Sequence, residues 1–462
     1  MLEFLNYLNR LVWGIPALVM IIGVGIYLSL RTGFVQLRLF PVALMHFFKR
    51  FGKQKKKDGD SSYRALCTAL AATVGTGNVA GVAGAIAIGG PGAIFWMWIC
   101  GILGMATKFA EATLAVRFRS RRAGGELVGG PMHMIENGMP RSWKWLAVLY
   151  CFFGVVAALG VGNATQVNAV IGSIKSVIAF FGGSGGFHIN IIMGVLLSLL
   201  TLMMLLGGAK RIGQIAERLV PFAAVGYILL CTAVLLFRWQ ALPSAISAII
   251  KGAFSPRSIT GGVVGSASVA LRVGASRGVF TNEAGMGTAA IAHGTSDVDH
   301  PVKQGLMGIV EVFLDTILIC TLTALVILCS GIGIDYGVDT GVLLTVDAFG
   351  GVLGSWVCIP IAIAMCCFAI ATVLGWGLYG IRCAQYLFGE NAWKYFVYLQ
   401  GAVVLISSVL QTGTVWTLAE TVNGLMAIPN LIVLAYLAPE LQRLTCEFHK
   451  ANLDKQAVSV VK

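Results

Sequence analysis

Ala71-Ala72-Thr73-Val74-Gly75-Thr76-Gly77-Asn78-Val79-Ala80-Gly81 lies in the middle of an apolar stretch over residues 65–90. A stretch of that length crosses a bilayer as a helix, which needs about 20 residues. Two glycines flanking a threonine, followed by an asparagine, predict that this helix unwinds at residues 75–78. Backbone without helical partners survives at membrane depth only around a cavity or a bound ligand. An unwound helix offers two opposite tools. Carbonyls closing its first half, residues 71–74, can coordinate a small hard cation such as Na⁺. Amides opening its second half, at Gly77, Asn78 and Val79, can hold a carboxylate. The competing reading is a helix-packing face in which Gly77, Gly81 and Gly84 supply a Gly-x-x-x-Gly contact. The glycine spacing is not a dinucleotide fingerprint, and the chain has no Gly-x-x-x-x-Gly-Lys-Ser/Thr loop for ATP.

A second stretch has the same character. Gly261-Gly262-Val263-Val264-Gly265-Ser266-Ala267-Ser268 is followed by Arg277-Gly278-Val279-Phe280-Thr281-Asn282-Glu283-Ala284-Gly285-Met286-Gly287. This span is also expected to be broken, at about residues 261–268. Paired broken spans at corresponding positions of two halves are a sequence pointer to a midplane transport site.

The rest of the chain supplies those halves. Of 462 residues, 57% are hydrophobic and 11% charged, against roughly 25% charged in a soluble domain. So few charges cannot cover a soluble surface. Apolar stretches recur near 11–30, 65–90, 92–116, 145–172, 188–207, 213–237, 260–292, 304–330, 354–381, 395–411 and 416–437, which makes eleven spans. With the N-terminus outside, 27 of the 33 Lys and Arg fall in inward-facing segments and five outside; Lys108 lies within a span. That asymmetry follows the positive-inside rule. It also accounts for the net charge of +13 as topology, and the run Lys53-Gln54-Lys55-Lys56-Lys57 as a surface beside anionic lipid rather than nucleic acid.

The expected architecture is an all-α polytopic membrane protein. Residues 1–64 form an extra N-terminal span and basic linker, 65–238 a first five-helix repeat, 254–437 a second repeat, and 438–462 a cytoplasmic tail. Five is odd, so the second repeat sits inverted relative to the first. The eleven cysteines are scattered without metal spacing and read as packing residues. No cofactor, catalytic cluster or haem-binding His pair is expected, and the chain reads as a transporter rather than an enzyme.

The residues also carry a resemblance. Gly75-Thr76-Gly77-Asn78-Val79-Ala80-Gly81-Val82-Ala83, Gly89-Gly90-Pro91-Gly92-Ala93-Ile94-Phe95-Trp96-Met97-Trp98 and Thr281-Asn282-Glu283-Ala284-Gly285-Met286-Gly287 resemble the alanine or glycine:cation symporter family. The likeness extends over residues 10–440. It implies the five-plus-five inverted fold and Na⁺-coupled uptake of a small neutral amino acid (alanine, glycine or both); the expected place is the bacterial inner membrane, with the C-terminus cytoplasmic by the charge count.

The neurotransmitter:sodium symporters share that fold, and their first core span resembles Ala71–Asn78. The likeness implies one cation site from the carbonyls of Ala71 and Val74 with Ala369 and Thr372, the latter two matching an Ala-x-x-Thr spacing. Val373 stands where a second hydroxyl often follows, so this site has one oxygen fewer. A second cation site would use the Thr73 carbonyl and the Asn78 side chain. For the substrate, the resemblance implies that amides around Thr76, Gly77 and Asn78 hold the carboxylate. Gln166 would accept from the ammonium, Thr372 would also border the substrate, and Trp376 would cap the cavity. A bridge between Gln166 and Asn163 is the plainer reading of that pair.

Other charges lie within spans, where ionisable residues call for a role. Lys108 and Glu111, at i and i+3, are expected to pair on one helix face near the cytoplasmic end. Glu311 and Asp315 are like charges at i and i+4 that need a partner, Arg272 or Arg277, or a proton; either could carry H⁺ in a proton-coupled alternative. Glu283 with a nearby Arg, and Glu420, read as gate residues.

Overall fold

The computed structural model describes residues 7, 9, 12, 15–51, 60–122, 124–255, 267–338, 341–410 and 412–460, the segments 412–420 and 452–460 by backbone alone. Its main helices are α1 (Ile15–Arg31), α2 (Phe40–Arg50), α3 (Ser62–Thr73), α4 (Ala80–Gly89), α5 (Gly92–Arg117), α6 (Pro131–Gly138), α7 (Lys144–Leu159), α8 (Thr165–Phe180), α9 (Phe187–Leu205), α10 (Gly208–Phe237), α11 (Leu242–Phe254), α12 (Ala267–Asn282), α13 (Thr288–His293), α14 (Pro301–Val312), α15 (Thr321–Cys329), α16 (Val342–Leu353), α17 (Cys358–Phe388), α18 (Ala392–Ser407) and α19 (Thr412–Val460). A two-stranded hairpin, Ser120–Arg121 with Leu127–Val128, precedes α6.

Over the described residues each expected span falls on helix, although only seven of these helices are long and apolar enough to cross a bilayer unaided, or eight with the bent pair α3–α4. Helix ends follow local chemistry. Ser61 caps α3 by accepting the Arg64 amide at 3.0 Å, and Pro301 stands in the first turn of α14. Gly389, at φ +89°, closes α17. α11 and α16 were not expected, and α19 runs on through the segment read as a tail.

Small residues set how closely the helices pack. A Cβ on Gly375 would lie 2.8 Å from the Ala72 nitrogen, one on Gly308 2.7 Å from the Lys108 carbonyl, and one on Gly92 2.1 Å from Gly252. Lipid supplies no hydrophobic force between helices, so such contacts hold the bundle. By contrast, a Cβ on Gly77 would meet nothing nearer than Thr281 Oγ1 at 3.6 Å, and one on Gly81 nothing within 4 Å. Those two glycines are therefore not a close-packing face.

The first break is present where expected, and a helix break also lies beyond the second expected position. α3 and α4 meet at 59° across Val74–Val79. The second break separates α12 from α13 at residues 283–287, where Glu283, Gly285 and Gly287 take φ of +54°, +93° and +79°. The break expected at about 261–268 falls mostly on 256–266, outside the described residues, as do the basic run at 53–57 and the Glu420 side chain. At one end of the bundle the two broken helices are stitched together. The Asp60 amide donates to Thr295 O at 3.1 Å, and the Asp297 amide donates to Asp60 O at 2.9 Å.

Candidate functional site

Asn78 builds the first break. Its Oδ1 accepts the Gly75 amide at 2.8 Å, which removes the ordinary helical donor of the Ala71 carbonyl. Its own amide donates to Gly75 O at 3.3 Å instead of continuing the ladder to Val74. The carbonyls of Ala71 and Val74 are thus among the four, residues 71–74, released where the helix ends. The Thr73 hydroxyl bonds back to Ala69 O at 3.4 Å.

α17 brings Thr372 to this point. A Cβ on Gly75 would stand 2.6 Å from Thr372 Oγ1, so only glycine leaves room for the hydroxyl. Thr372 is buried and its Oγ1 has no hydrogen-bond partner among the described residues. An unsatisfied buried hydroxyl costs about 1–3 kcal/mol, and here it faces a helix end with released carbonyls. That donor set, all oxygen, suits a hard cation. Ala369, one turn earlier on α17, is buried as well.

On the other side, Thr76 Oγ1 donates to Gln166 Oε1 at 3.1 Å. Gln166 Nε2 donates to Val161 O and Thr165 Oγ1, each at 3.2 Å. Val161 belongs to a π-helical segment, Gly160–Ala164, between α7 and α8. Asn163 turns away to donate to Gln400 O at 3.1 Å, so the two amides do not bridge each other. Thr76, Gln166, Gly75 and Thr372 form one cluster.

Asn78 also reaches a residue that the sequence did not assign to it. Its Nδ2 donates to Asp315 Oδ1 at 2.7 Å and to Asp315 O at 3.2 Å. Thr316 Oγ1 donates to Asp315 Oδ2 at 2.7 Å. Asp315 lies in a second π-helical segment, Phe313–Cys320, which joins α14 to α15. π-Segments recur at functional sites, and these two aim Gln166 and Asp315 at the first break.

The charged residues pair differently from expectation. Lys108 does not pair with Glu111; its Nζ donates to Glu311 Oε1 at 2.9 Å, with both side chains fully buried. The i, i+3 pairing yields because a tertiary partner on α14 can satisfy a lysine that no water reaches. Glu311 Oε2 meets His293 Nε2 at 2.8 Å, and the His293 Nδ1 lies 2.6 Å from Gln304 Nε2. An amide nitrogen only donates, so His293 accepts at Nδ1 and donates from Nε2 to Glu311. Neither Arg272 nor Arg277 is the partner of Glu311 or Asp315.

Glu111 instead closes the second break. Its Oε1 accepts the Gly285 and Gly287 amides, each at 3.0 Å, and Asn430 Nδ2 at 2.7 Å. Successive amides in left-handed backbone form a concave anion cradle, and the Glu111 carboxylate fills it. Glu283 is not paired with an arginine: it accepts Trp376 Nε1 at 2.9 Å and Thr288 Oγ1 at 2.7 Å. Trp376 is fully buried, and a Cβ on Gly162 would lie 2.2 Å from its own Cβ.

Comparison with known proteins agrees with this architecture. The model of the sodium:alanine symporter family matches residues 1–461. The sodium/alanine symporter AgcS of Methanococcus maripaludis is 40% identical over 441 residues, 94% of each chain. An uncharacterized transporter of Haemophilus influenzae is 41% identical over 437 residues, 94% of this chain and 92% of that one. The crystal structure of MhsT in complex with L-phenylalanine matches with a TM-score of 0.58 at 16% identity, covering 85% of this chain and 99% of that chain, which establishes a shared fold. The chain is a multi-pass membrane transporter, not an enzyme, and it belongs to the sodium:alanine symporter family.

Proposed function

We propose that this protein couples inward Na⁺ movement to uptake of a small neutral amino acid, alanine, glycine or both, by alternating access. The observation that carries the reading is the unpartnered Thr372 hydroxyl beside Gly75, where the Ala71 and Val74 carbonyls leave their helix. Na⁺ bound there draws on Ala71, Val74, Ala369 and Thr372. It joins the end of α3 to α17 and thereby completes the neighbouring substrate site. The substrate carboxylate binds the amides of Thr76 and Gly77, beside an Asn78 amide held by Gly75 O, and the ammonium binds Gln166 Oε1 and borders Thr372. Coupling is reciprocal: Na⁺ raises substrate affinity by the factor by which substrate raises Na⁺ affinity.

A second cation takes the Thr73 carbonyl and the Asn78 side chain, with the Asp315 carboxylate as the charged partner. The contact between Asn78 and Asp315 also favours the proton-coupled alternative at Asp315 over Glu311, because Lys108 and His293 already satisfy Glu311. In the cell the chain sits in the bacterial inner membrane, N-terminus periplasmic and C-terminus cytoplasmic, with its repeats at 65–238 and 254–437. The test is the Na⁺ activation curve of alanine uptake in Thr372→Ala. The curve is expected to shift to higher Na⁺ by tenfold or more, about 1.4 kcal/mol. An unchanged curve removes Thr372 from the cation site.

A further inference from the structure

Helix α17 touches both breaks one turn apart. Thr372 faces Gly75 at the first break. Trp376, four residues on and so on the same face, donates its indole N–H to Glu283 at 2.9 Å at the second. Glu283 is the first residue of the break. It holds a left-handed backbone, φ +54°, which is uncommon for a residue with a side chain. Its other oxygen accepts from Thr288, the first residue of α13, at 2.7 Å. One carboxylate therefore spans the break and fastens it to α17.

Three contacts hold Trp376 in place. Its N–H is spent on Glu283, its edge packs on Tyr379 with ring centroids 5.8 Å apart, and Gly162 is cut back to admit it. The neighbouring Glu111 cradle holds the same loop from α5 and α19. The loop is thus anchored on one side by Glu111 and on the other by Trp376. Only the Trp376 anchor sits on the helix that carries Thr372.

We infer that Trp376 and Glu283 are positioning residues that transmit cation occupancy at Thr372 to the second broken helix. Through them Na⁺ sets the α12–α13 break as well as the α3–α4 break. Without the indole–carboxylate bond, a cation at Thr372 sets the α3–α4 break and leaves the α12–α13 break unset. The inference rests on the proposed Na⁺ coupling and adds the route by which it reaches the second repeat.

The experiment measures alanine affinity with and without Na⁺, and Na⁺ affinity without alanine, in purified full-length protein. The wild-type coupling factor is expected in the range of about 5–150-fold. Trp376→Phe keeps an aromatic ring and loses the N–H; Glu283→Ala loses the acceptor. Both are expected to bring the coupling factor well below the wild-type value, to what the α3–α4 break alone supplies, while Na⁺ affinity alone stays within about twofold of wild type, a coupling loss without a binding loss. Glu283→Gln keeps an oxygen for Trp376 and an amide for the Thr288 hydroxyl, and is expected to retain most of the coupling. This rescue separates the bond from a general packing defect. Wild-type coupling in Trp376→Phe overturns the inference. So does a parallel loss of Na⁺ affinity in all three variants, which makes the pair a prop for the cation site itself. If wild-type alanine affinity ignores Na⁺, it is the proposed function that fails, before any variant is compared.

Discussion

At the scale of single residues, Gly75 and Gly77 look alike in the sequence and differ in space. A Cβ on Gly75 would stand 2.6 Å from Thr372 Oγ1, whereas one on Gly77 stays 3.6 Å from Thr281. Gly75→Ala is therefore expected to abolish Na⁺-dependent uptake and to destabilise by about 1–3 kcal/mol, the usual cost of overpacking. Gly77→Ala should remain as stable as wild type in a detergent melting assay. The buried Lys108–Glu311 pair makes a second residue-scale case. Lys108→Met leaves Glu311 with His293 and no full positive charge, a loss of about 3–5 kcal/mol. The double variant Lys108→Met/Glu311→Leu is expected to melt higher than Lys108→Met alone. A double variant that melts lower, with the two losses simply adding, would show that the charges do not act as a pair.

At the scale of elements, the second break is held by a carboxylate from another helix. Glu111→Ala strands the Gly285 and Gly287 amides, each worth about 1–3 kcal/mol when buried and unpaired. Hydrogen exchange at residues 283–287 should accelerate in that variant and stay slow in Glu111→Gln, whose amide oxygen can still accept. The first break was legible in the sequence because its cause is local. Gly75, Thr76, Gly77 and Asn78 lie within one turn, and Asn78 caps Gly75 three residues away. The break described at 283–287 lies beyond the expected 261–268, because it rests on Glu111, Trp376 and Asn430, far along the chain. The same reason hides the Lys108–Glu311 pair, 203 residues apart, behind the i, i+3 pair that sequence spacing offers. The π-segments at 160–164 and 313–320 carry no composition signal that separates them from ordinary apolar helix.

At the scale of the whole molecule, the charge asymmetry predicts a side for each end of the chain. Cys446, on the last helix, is exposed, whereas the other free cysteines are buried or half-buried among the described residues. A membrane-impermeant maleimide should therefore label Cys446 in inverted membrane vesicles and not in right-side-out ones; the opposite pattern would reverse the topology. The breaks in α3–α4 and α12–α13, the Thr372 hydroxyl between them and the family all lead to one claim, that a sodium gradient drives amino-acid entry. Its most direct measurement is uptake of labelled alanine into proteoliposomes under an inward Na⁺ gradient at equal pH on both sides. Saturable accumulation that collapses when the Na⁺ gradient is dissipated is the expected result. Accumulation that proceeds undiminished in Na⁺-free buffer would contradict the account.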